Sequence, residues 1–217
     1  MSPRKPVVFW LVVAVLLAGL GAWWLVSPPV SPEGRARHGI EAVGSQIAGV
    51  AVKVESSTLD AEGRGEIRGL TVANPKGFKG KHALILGEVR TALDPATLSR
   101  DVVVIRELRL VAPEMHFERG EGGDNLALIL KNIEASPGAA KNKDDGPAAK
   151  FIIESVVVTD GKLHLSPALV AQLPALRLRE IGRKTNGVSA AEAGKQLWRA
   201  LQANAATVAA NHGAPAR

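Results

Sequence analysis

The stretch "VVVIRELRLVAP", residues 102–113, carries a pattern that the chain uses three times. The other copies are "GEIRGLTVANP", residues 65–75, and "FIIESVVVTDG", residues 151–161. In each copy an isoleucine is followed after two residues by an apolar side chain, and after one more residue by another. The period of two predicts a β-strand with one apolar face, and the extra residue after the isoleucine predicts either a β-bulge or a bend at the strand entry. The apolar positions, which are candidates for a lipid groove or for an ordinary core, are Ile67, Leu70, Val72, Ile105, Leu108, Leu110, Ile153, Val156 and Val158.

Each copy ends in a turn-forming pair and leads towards another alternating segment. "EMHFE" follows Pro113, and "KLHLS" follows Asp160-Gly161, a dipeptide that favours a tight hairpin between alternating strands. Further strands are predicted at 50–60 and 82–94. We expect neighbouring copies to pair and to bury one face together.

Three short helices are predicted around these strands. The first covers 36–50; in the second, Asp124 is the expected N-cap of 125–135. The last begins after Ser189, which forms a capping-box pattern with Glu192. Its bulkiest residues are Leu197, Trp198 and Leu201. This helix either closes over the sheet or is exposed as a docking element for a partner or a membrane surface.

The N-terminal segment 7–26 contains no charged residue and is long enough to cross a bilayer as a helix. Arg4 and Lys5 precede it, which predicts a cytoplasmic N-terminus and an extracytoplasmic remainder. A cleaved signal peptide, and hence a secreted binding protein, is the alternative, but the apolar core exceeds the usual length of about 7–15 residues. The expected anchor residues are Val7, Trp10, Leu16, Leu17, Trp23, Trp24 and Val26.

Composition excludes several classes of function. The chain of 217 residues has no cysteine, which excludes a disulfide framework and a cysteine-based zinc site. The formal net charge is +6, but basic and acidic residues are interleaved without a dense basic run, so no nucleic-acid partner is expected.

No catalytic or cofactor motif is found in the sequence, and we expect no enzyme activity and no cofactor. His116 and His164 occupy matching positions, but no carboxylate stands at ligand spacing, so solvated histidines and no metal are expected.

The order of these segments resembles the AsmA-like family of bacterial envelope proteins. An N-terminal membrane helix and a short helix precede "VAVKVESSTLD". "IRGLTVANPKGF", "ALILGEVRTALDPATL", "VVIRELRLVAPEMHFE" and "GGDNLALIL" follow, and "LPALRLREIGRKTNGVSAAEAGKQL" is similar to the ending of short members. The resemblance implies a β-rich extracytoplasmic domain with an apolar concave face, related to proteins of outer-membrane biogenesis and phospholipid traffic. Large members string together many repeats, whereas this chain has about three, so it is too short to bridge two membranes.

The sequence therefore predicts an α+β protein in which a single transmembrane helix precedes a curved, mostly antiparallel sheet of repeated strand units with a few amphipathic helices. The expected division is 1–34 for the cytoplasmic end, anchor and Pro-rich spacer, 35–135 for the AsmA-like region, 136–150 for a flexible loop, 151–187 for further strands, and 188–217 for the last helix and a frayed tail. The expected location is the bacterial inner membrane with a periplasmic domain. The expected role is envelope biogenesis, by binding or transferring phospholipid through its acyl chains. The alternative is a structural adaptor that docks other envelope proteins through its sheet edge or last helix.

Overall fold

The structure is a computed structural model that describes residues 32–120, 123–136 and 150–212. The expected anchor and nearly all of the 136–150 loop lie outside these residues. Among the described residues no helix combines the length and the apolarity needed to span a bilayer. The elements are α1 (Pro32–Ala48), β1 (Val52–Lys53), β2 (Ser56–Leu59), β3 (Arg64–Ala73), β4 (His82–Leu93), β5 (Val102–Val111), β6 (Glu114–His116), β7 (Arg119–Gly120), β8 (Gly123–Asp124), α2 (Asn125–Ala135), β9 (Lys150–Thr159), β10 (Lys162–Ser166), β11 (Leu169–Gln172), β12 (Leu176–Ile181) and α3 (Ala190–Asn211).

The main sheet consists of six long, bent strands in chain order. Four of the long strands are interrupted, and each consists of two consecutive segments: β1–β2, β5–β6, β9–β10 and β11–β12. The other two, β3 and β4, are continuous. Neighbouring strands are antiparallel with one exception. The long strand β5–β6 runs parallel to the long strand β9–β10, so that β5 pairs with β9 and β6 pairs with β10. The fold class is thus confirmed as α+β with a mixed, mostly antiparallel sheet and few helices.

The unchanged register across each interruption shows that the short strands are parts of longer ones. Against β4, Glu88 pairs with Val111 of β5, and Ile85, three residues earlier in β4, pairs with Glu114 of β6, three residues after Val111. The register is also unchanged between the two parallel strands. Partners in β6 and β10 are separated by the same number of residues along the chain as partners in β5 and β9. The chain bends here but does not leave the sheet.

The bends fall on one line that crosses the whole sheet, which we call the crease. Six residues, one in each long strand and named at the end of this paragraph, lie opposite one another when the register on both sides of each bend is continued through it. Three of the six have a positive φ, of 60° at Gly69, 48° at Ala112 and 57° at Asp160. Left-handed backbone turns an extended strand sharply, so we expect the sheet to bend along the crease. Its members are Glu55, Gly69, Gly87, Ala112, Asp160 and Pro174.

Two expectations about the repeated pattern are wrong. Asp160-Gly161 does not make a hairpin, because β10 continues β9 beyond the bend and pairs in parallel with β6. The first copy, β3, does not pair with the second, β5, because β4 lies between them. Only the second and third copies, β5 and β9, are neighbours, and they pair in parallel. The bulge is confirmed in the second copy, where the register shifts between the Leu93–Ile105 and Ala92–Glu107 pairs. The first copy has no such shift, because β3 keeps one register against β4 from Ile67 to Val72.

The three helices cover one face of the sheet, which we call the inner face. Helix α1 packs on β1 and β2, α3 packs on β9, β10 and β12, and α2 contacts both other helices. Helix α1 begins at Pro32, within the segment expected to be a spacer. The predicted N-cap Asp124 accepts from Ala127 N at 2.7 Å, and Ser189 Oγ accepts from Glu192 N at 3.2 Å.

Candidate functional site

The repeated apolar side chains lie on the inner face and are nearly inaccessible to solvent. All nine of the candidate positions named from the sequence are 3% exposed or less. The cavity left between them and the helices has about 30 Å³ of free space and is bounded by Leu70, Val72, Leu110 and Trp198 among others. An engineered cavity of about 150 Å³ is needed to hold a benzene molecule. In this conformation the inner face is therefore a packed core without room for an acyl chain.

Helix α3 closes this core. Leu197, Trp198 and Leu201 are 4%, 6% and 3% exposed, and all three border the small cavity. The indole Nε1 of Trp198 donates to the carbonyl oxygen of Leu126 in α2 at 3.0 Å. Of the two roles expected for this helix, the described packing is that of a closing element rather than of an exposed docking surface.

On the outer face, beyond the crease, the two histidines of the matching positions lie side by side. His116 of β6 and His164 of β10 are register partners in the parallel pair. Neighbouring strands are about 4.8 Å apart, so partners on the same face bring their rings together. The two imidazole rings stack with centroids 4.4 Å apart and planes 14° apart.

A carboxylate completes this cluster, contrary to the expectation from the sequence. Glu114 stands two residues before His116 on the same face of β6, and its Oε2 atom lies 3.5 Å from Nε2 of His164. One ligand atom from each of Glu114, His116 and His164 lies within 4.8 Å of the others. The missed signal was the spacing Glu-x-His, because a period of two puts both side chains on one face of a strand.

The Nε2 atoms of the two histidines are not solvated as expected. Nε2 of His116 and Nε2 of His164 are both buried, and neither has a hydrogen-bond partner within the described parts of the chain. A buried polar group without a partner costs about 1–3 kcal/mol. Burial lowers the pKa of His116, the neighbouring His164 lowers it further, and Glu114 opposes both effects. The His116 ring is therefore held in its neutral form, with a lone pair on one nitrogen.

A loop between β3 and β4 lies over this end of the sheet and is fixed by one carboxylate. Glu118 accepts from the backbone N–H of Lys79 at 2.8 Å and of Gly80 at 2.8 Å, and from Nδ2 of Asn74 at 2.6 Å. These charge-assisted bonds fix the loop against the segment that follows β6. The cleft between them has a volume of about 770 Å³, and both cluster histidines contribute to its wall.

A buried asparagine connects the loop to the histidine strand. Asn125 is fully buried; its Nδ2 donates to Asn74 Oδ1 and to His116 O, both at 2.7 Å, while its Oδ1 accepts from Glu118 N at 2.9 Å. Three of its four hydrogen-bonding positions are thus filled by groups from two segments, the β3–β4 loop and the end of β6. The backbone that carries His116 is consequently held at a defined position relative to the loop.

Among the described residues the sheet has two free edges, one formed by β1–β2 and the other by the last long strand, β11–β12. Strand β11 pairs with β10, and β12 pairs with β9; on the other side of both, no strand is present among the described residues. Leu169 and Val170 of β11 are 40% and 47% exposed, which is unusual for large apolar residues in this molecule. Val170 is the register partner of His164, so this exposed edge lies directly beside the histidine cluster.

The expected membrane anchor lies outside the residues that the structure describes. Its residues are Val7, Trp10, Leu16, Leu17, Trp23, Trp24 and Val26.

Comparison of the chain with protein-family models, with curated proteins and with solved structures finds no match.

Proposed function

We propose that this chain is a non-enzymatic protein of the bacterial cell envelope that docks a protein partner at the free edge of β11. Residues 7–26 would hold it in the inner membrane, and the sheet domain would lie in the periplasm. The resemblance to the AsmA-like family suggests outer-membrane biogenesis as the process. The observation that carries the proposal is the pair of exposed apolar residues, Leu169 and Val170, on a strand edge that no other strand pairs with among the described residues.

The two halves of this edge differ in a way that favours β11 as the docking site. Proteins protect free edges against uncontrolled pairing with charged side chains. Strand β12 has such protection, because Arg177, Arg179 and Glu180 are exposed on it. Strand β11 has no charged residue and exposes Leu169 and Val170. An unprotected apolar segment next to a protected one is the pattern expected of a specific contact.

The partner that fits this edge is an extended strand of another envelope protein. Addition of a strand satisfies the free backbone groups of β11 and places alternate side chains against Leu169 and Val170. The nearby Arg177 and Arg179 favour a partner strand with acidic residues at its end. The chain builds its own sheet from in-register strands of one pattern. Addition of a further strand at β11 would extend this sheet in the same way.

Lipid handling is the competing proposal, and the closed core weighs against it. An acyl chain would have to enter between the sheet and the helices, where only about 30 Å³ is free. Its entry would require α3 to separate from the sheet and to expose Leu197, Trp198 and Leu201. Such an opening gives up a large buried apolar area, for which bound lipid would have to compensate.

Site-specific photo-crosslinking tests the docking proposal. A photoreactive residue is placed at Leu169 in the full-length protein and irradiated in intact envelopes. The matched control is Leu98, which is 41% exposed and lies at the opposite end of the strands. We expect one protein adduct of defined mass from position 169 and none from position 98, and Arg177→Glu with Arg179→Glu should weaken the adduct.

The outcomes separate the two proposals. Equal adducts from both positions, or none from position 169, would contradict docking at β11. Native mass spectrometry of the same protein, extracted in mild detergent, provides the second measurement. A bound phospholipid at one per chain, together with absence of the position 169 adduct, would support lipid handling.

A further inference from the structure

We infer that Glu114, His116 and His164 form a binding site for one divalent transition-metal ion, with Zn²⁺ as the expected occupant. Their ligand atoms already lie within 4.8 Å of one another in the described structure. The three residues come from two neighbouring strands, and the inference is independent of the proposed docking function. It replaces the expectation from the sequence that these histidines are solvated.

The chemistry of the donor set selects the kind of metal. Two imidazole nitrogens and one carboxylate oxygen suit Zn²⁺, which binds such ligands in tetrahedral sites and often leaves the fourth position to water. Mg²⁺ requires oxygen ligands in octahedral geometry, so it does not fit. The chain has no cysteine, so no thiolate competes for the ion.

The strongest indication of a ligand is that two buried histidine nitrogens lack a hydrogen bond within the described residues. Nε2 of His116 and Nε2 of His164 are buried and have no hydrogen-bond partner in the described residues, and the nearest carboxylate oxygen is 3.5 Å from the second. One metal ion would bond both nitrogens once the rings turn out of their stack, because an imidazole lone pair lies in the plane of its ring.

The backbone holds the two ligand strands in place without the metal. Lys162 N donates to Pro113 O at 2.8 Å, and Phe117 N donates to His164 O at 2.9 Å, so hydrogen bonds flank the histidine pair on both sides. Lys162, the register partner of Glu114, is exposed, so its ammonium group can stay in solvent. The site therefore needs only side-chain adjustment to close on an ion, which lowers the cost of binding.

An ion in this position would join β6 to β10 just beyond the crease. Since Val170 of β11 is the register partner of His164, the metal would also stiffen the strand beside the exposed edge. The two parallel copies of the repeated pattern would then be connected by a metal in addition to backbone hydrogen bonds.

Equilibrium dialysis with Zn²⁺ tests the site directly. The full-length protein, purified without a polyhistidine tag, is compared with His116→Ala, His164→Ala and Glu114→Gln by elemental analysis. We expect one Zn²⁺ per wild-type chain, and at least a tenfold loss of affinity in each variant, since even residues that only support ligands contribute about 10–100-fold. The matched control is His38→Ala, because this histidine of α1 has a side chain that is 63% exposed; it should bind as the wild type does.

A second measurement separates loss of the site from loss of the fold. Zn²⁺ should raise the melting temperature of the wild type and of His38→Ala but not that of the three cluster variants, and Mg²⁺ should raise none. Circular dichroism before metal addition identifies any variant that fails to fold, and Glu114→Gln, at a partly exposed position, is the mildest change. Wild-type protein that binds no Zn²⁺ at 100-fold excess, or a folded His116→Ala/His164→Ala double variant that binds it unchanged, would overturn the inference.

Discussion

The inner and outer faces of the sheet are made from alternate residues of the same strands, yet they differ in nearly every property. In β5, Leu108 and Leu110 are fully buried under the helices, whereas Arg109 between them is partly exposed and pairs with Glu107 at 3.1 Å. The inner face is apolar and covered by the helices, and the free space between them is only about 30 Å³, too little for an acyl chain. The outer face has the charged pairs, the histidine cluster and, at its margin, the exposed edge. Stability therefore depends on one face, and the features that can bind a partner or an ion lie on the other or at its border.

The largest effect should follow from placing a charge on the inner face. Leu110→Asp puts a carboxylate at a fully buried position beside the small apolar cavity. Loss of the leucine alone costs about 2–5 kcal/mol, and the buried polar group adds to this. We expect a loss of about 4 kcal/mol or more, comparable to the whole stability of a small domain, measured by urea denaturation of the full-length chain in detergent.

Arg109→Asp, one residue away, is the matched control for the comparison of the two faces. The side chain of Arg109 is 39% exposed, and surface substitutions usually change stability by about 0.5 kcal/mol or less. If this variant is more damaging than Leu110→Asp, the assignment of the two faces is wrong.

An intermediate effect is expected where α3 covers the inner face. Trp198→Ala removes a buried indole and should cost about 3–5 kcal/mol. Trp198→Phe keeps most of the apolar area but loses the hydrogen bond to Leu126 O, and should cost about 1 kcal/mol. Thermal unfolding followed by circular dichroism measures both. Unchanged melting of Trp198→Ala would show that α3 does not close the core in solution.

The smallest effect concerns the crease, where two glycines lie opposite each other in adjacent strands. Gly69 has a φ of 60°, and a Cβ there would clash with the side chain of Glu55, whereas a Cβ at Gly87 would meet no atom within 4 Å. Gly69→Ala should cost about 1–2 kcal/mol because an L-residue is strained at that φ. Gly87→Ala should be neutral or stabilise by about 0.4–1 kcal/mol through the unfolded state. Equal melting temperatures for the two variants would argue against a left-handed bend at Gly69.

The sequence was informative about which residues face inward and poor about how strands are joined. The alternation around Ile105, Leu108 and Leu110 identified the buried side chains because burial of one face imposes a period of two on a strand. The same logic identified Asp124 and Ser189, since a helix N-terminus needs a side-chain acceptor within three residues. Asp160-Gly161 was misinterpreted because a positive φ serves a bend as well as it serves a hairpin turn.

The candidate site on the outer face was only half visible before the fold was known. The matching positions of His116 and His164 can be seen in the repeated pattern, but their contact depends on parallel, in-register pairing of β6 and β10. That pairing joins segments separated by α2 and by residues outside the described structure, so no local spacing encodes it. Glu114 is close in sequence, yet its approach to His164 also depends on the strand pairing.

What the sequence determined by itself is local: strand and helix periodicity, helix caps, the buried positions and an apolar N-terminal segment of membrane-spanning length. These follow from the chemistry of residues that are near one another in the chain. What only the tertiary structure decided is relational: the order of six strands, the crease that crosses them, the closure of the core by α3, and the meeting of Glu114, His116 and His164. Such features depend on long-range pairing, in which the burial of one face fixes the register and thereby decides which outer-face side chains meet.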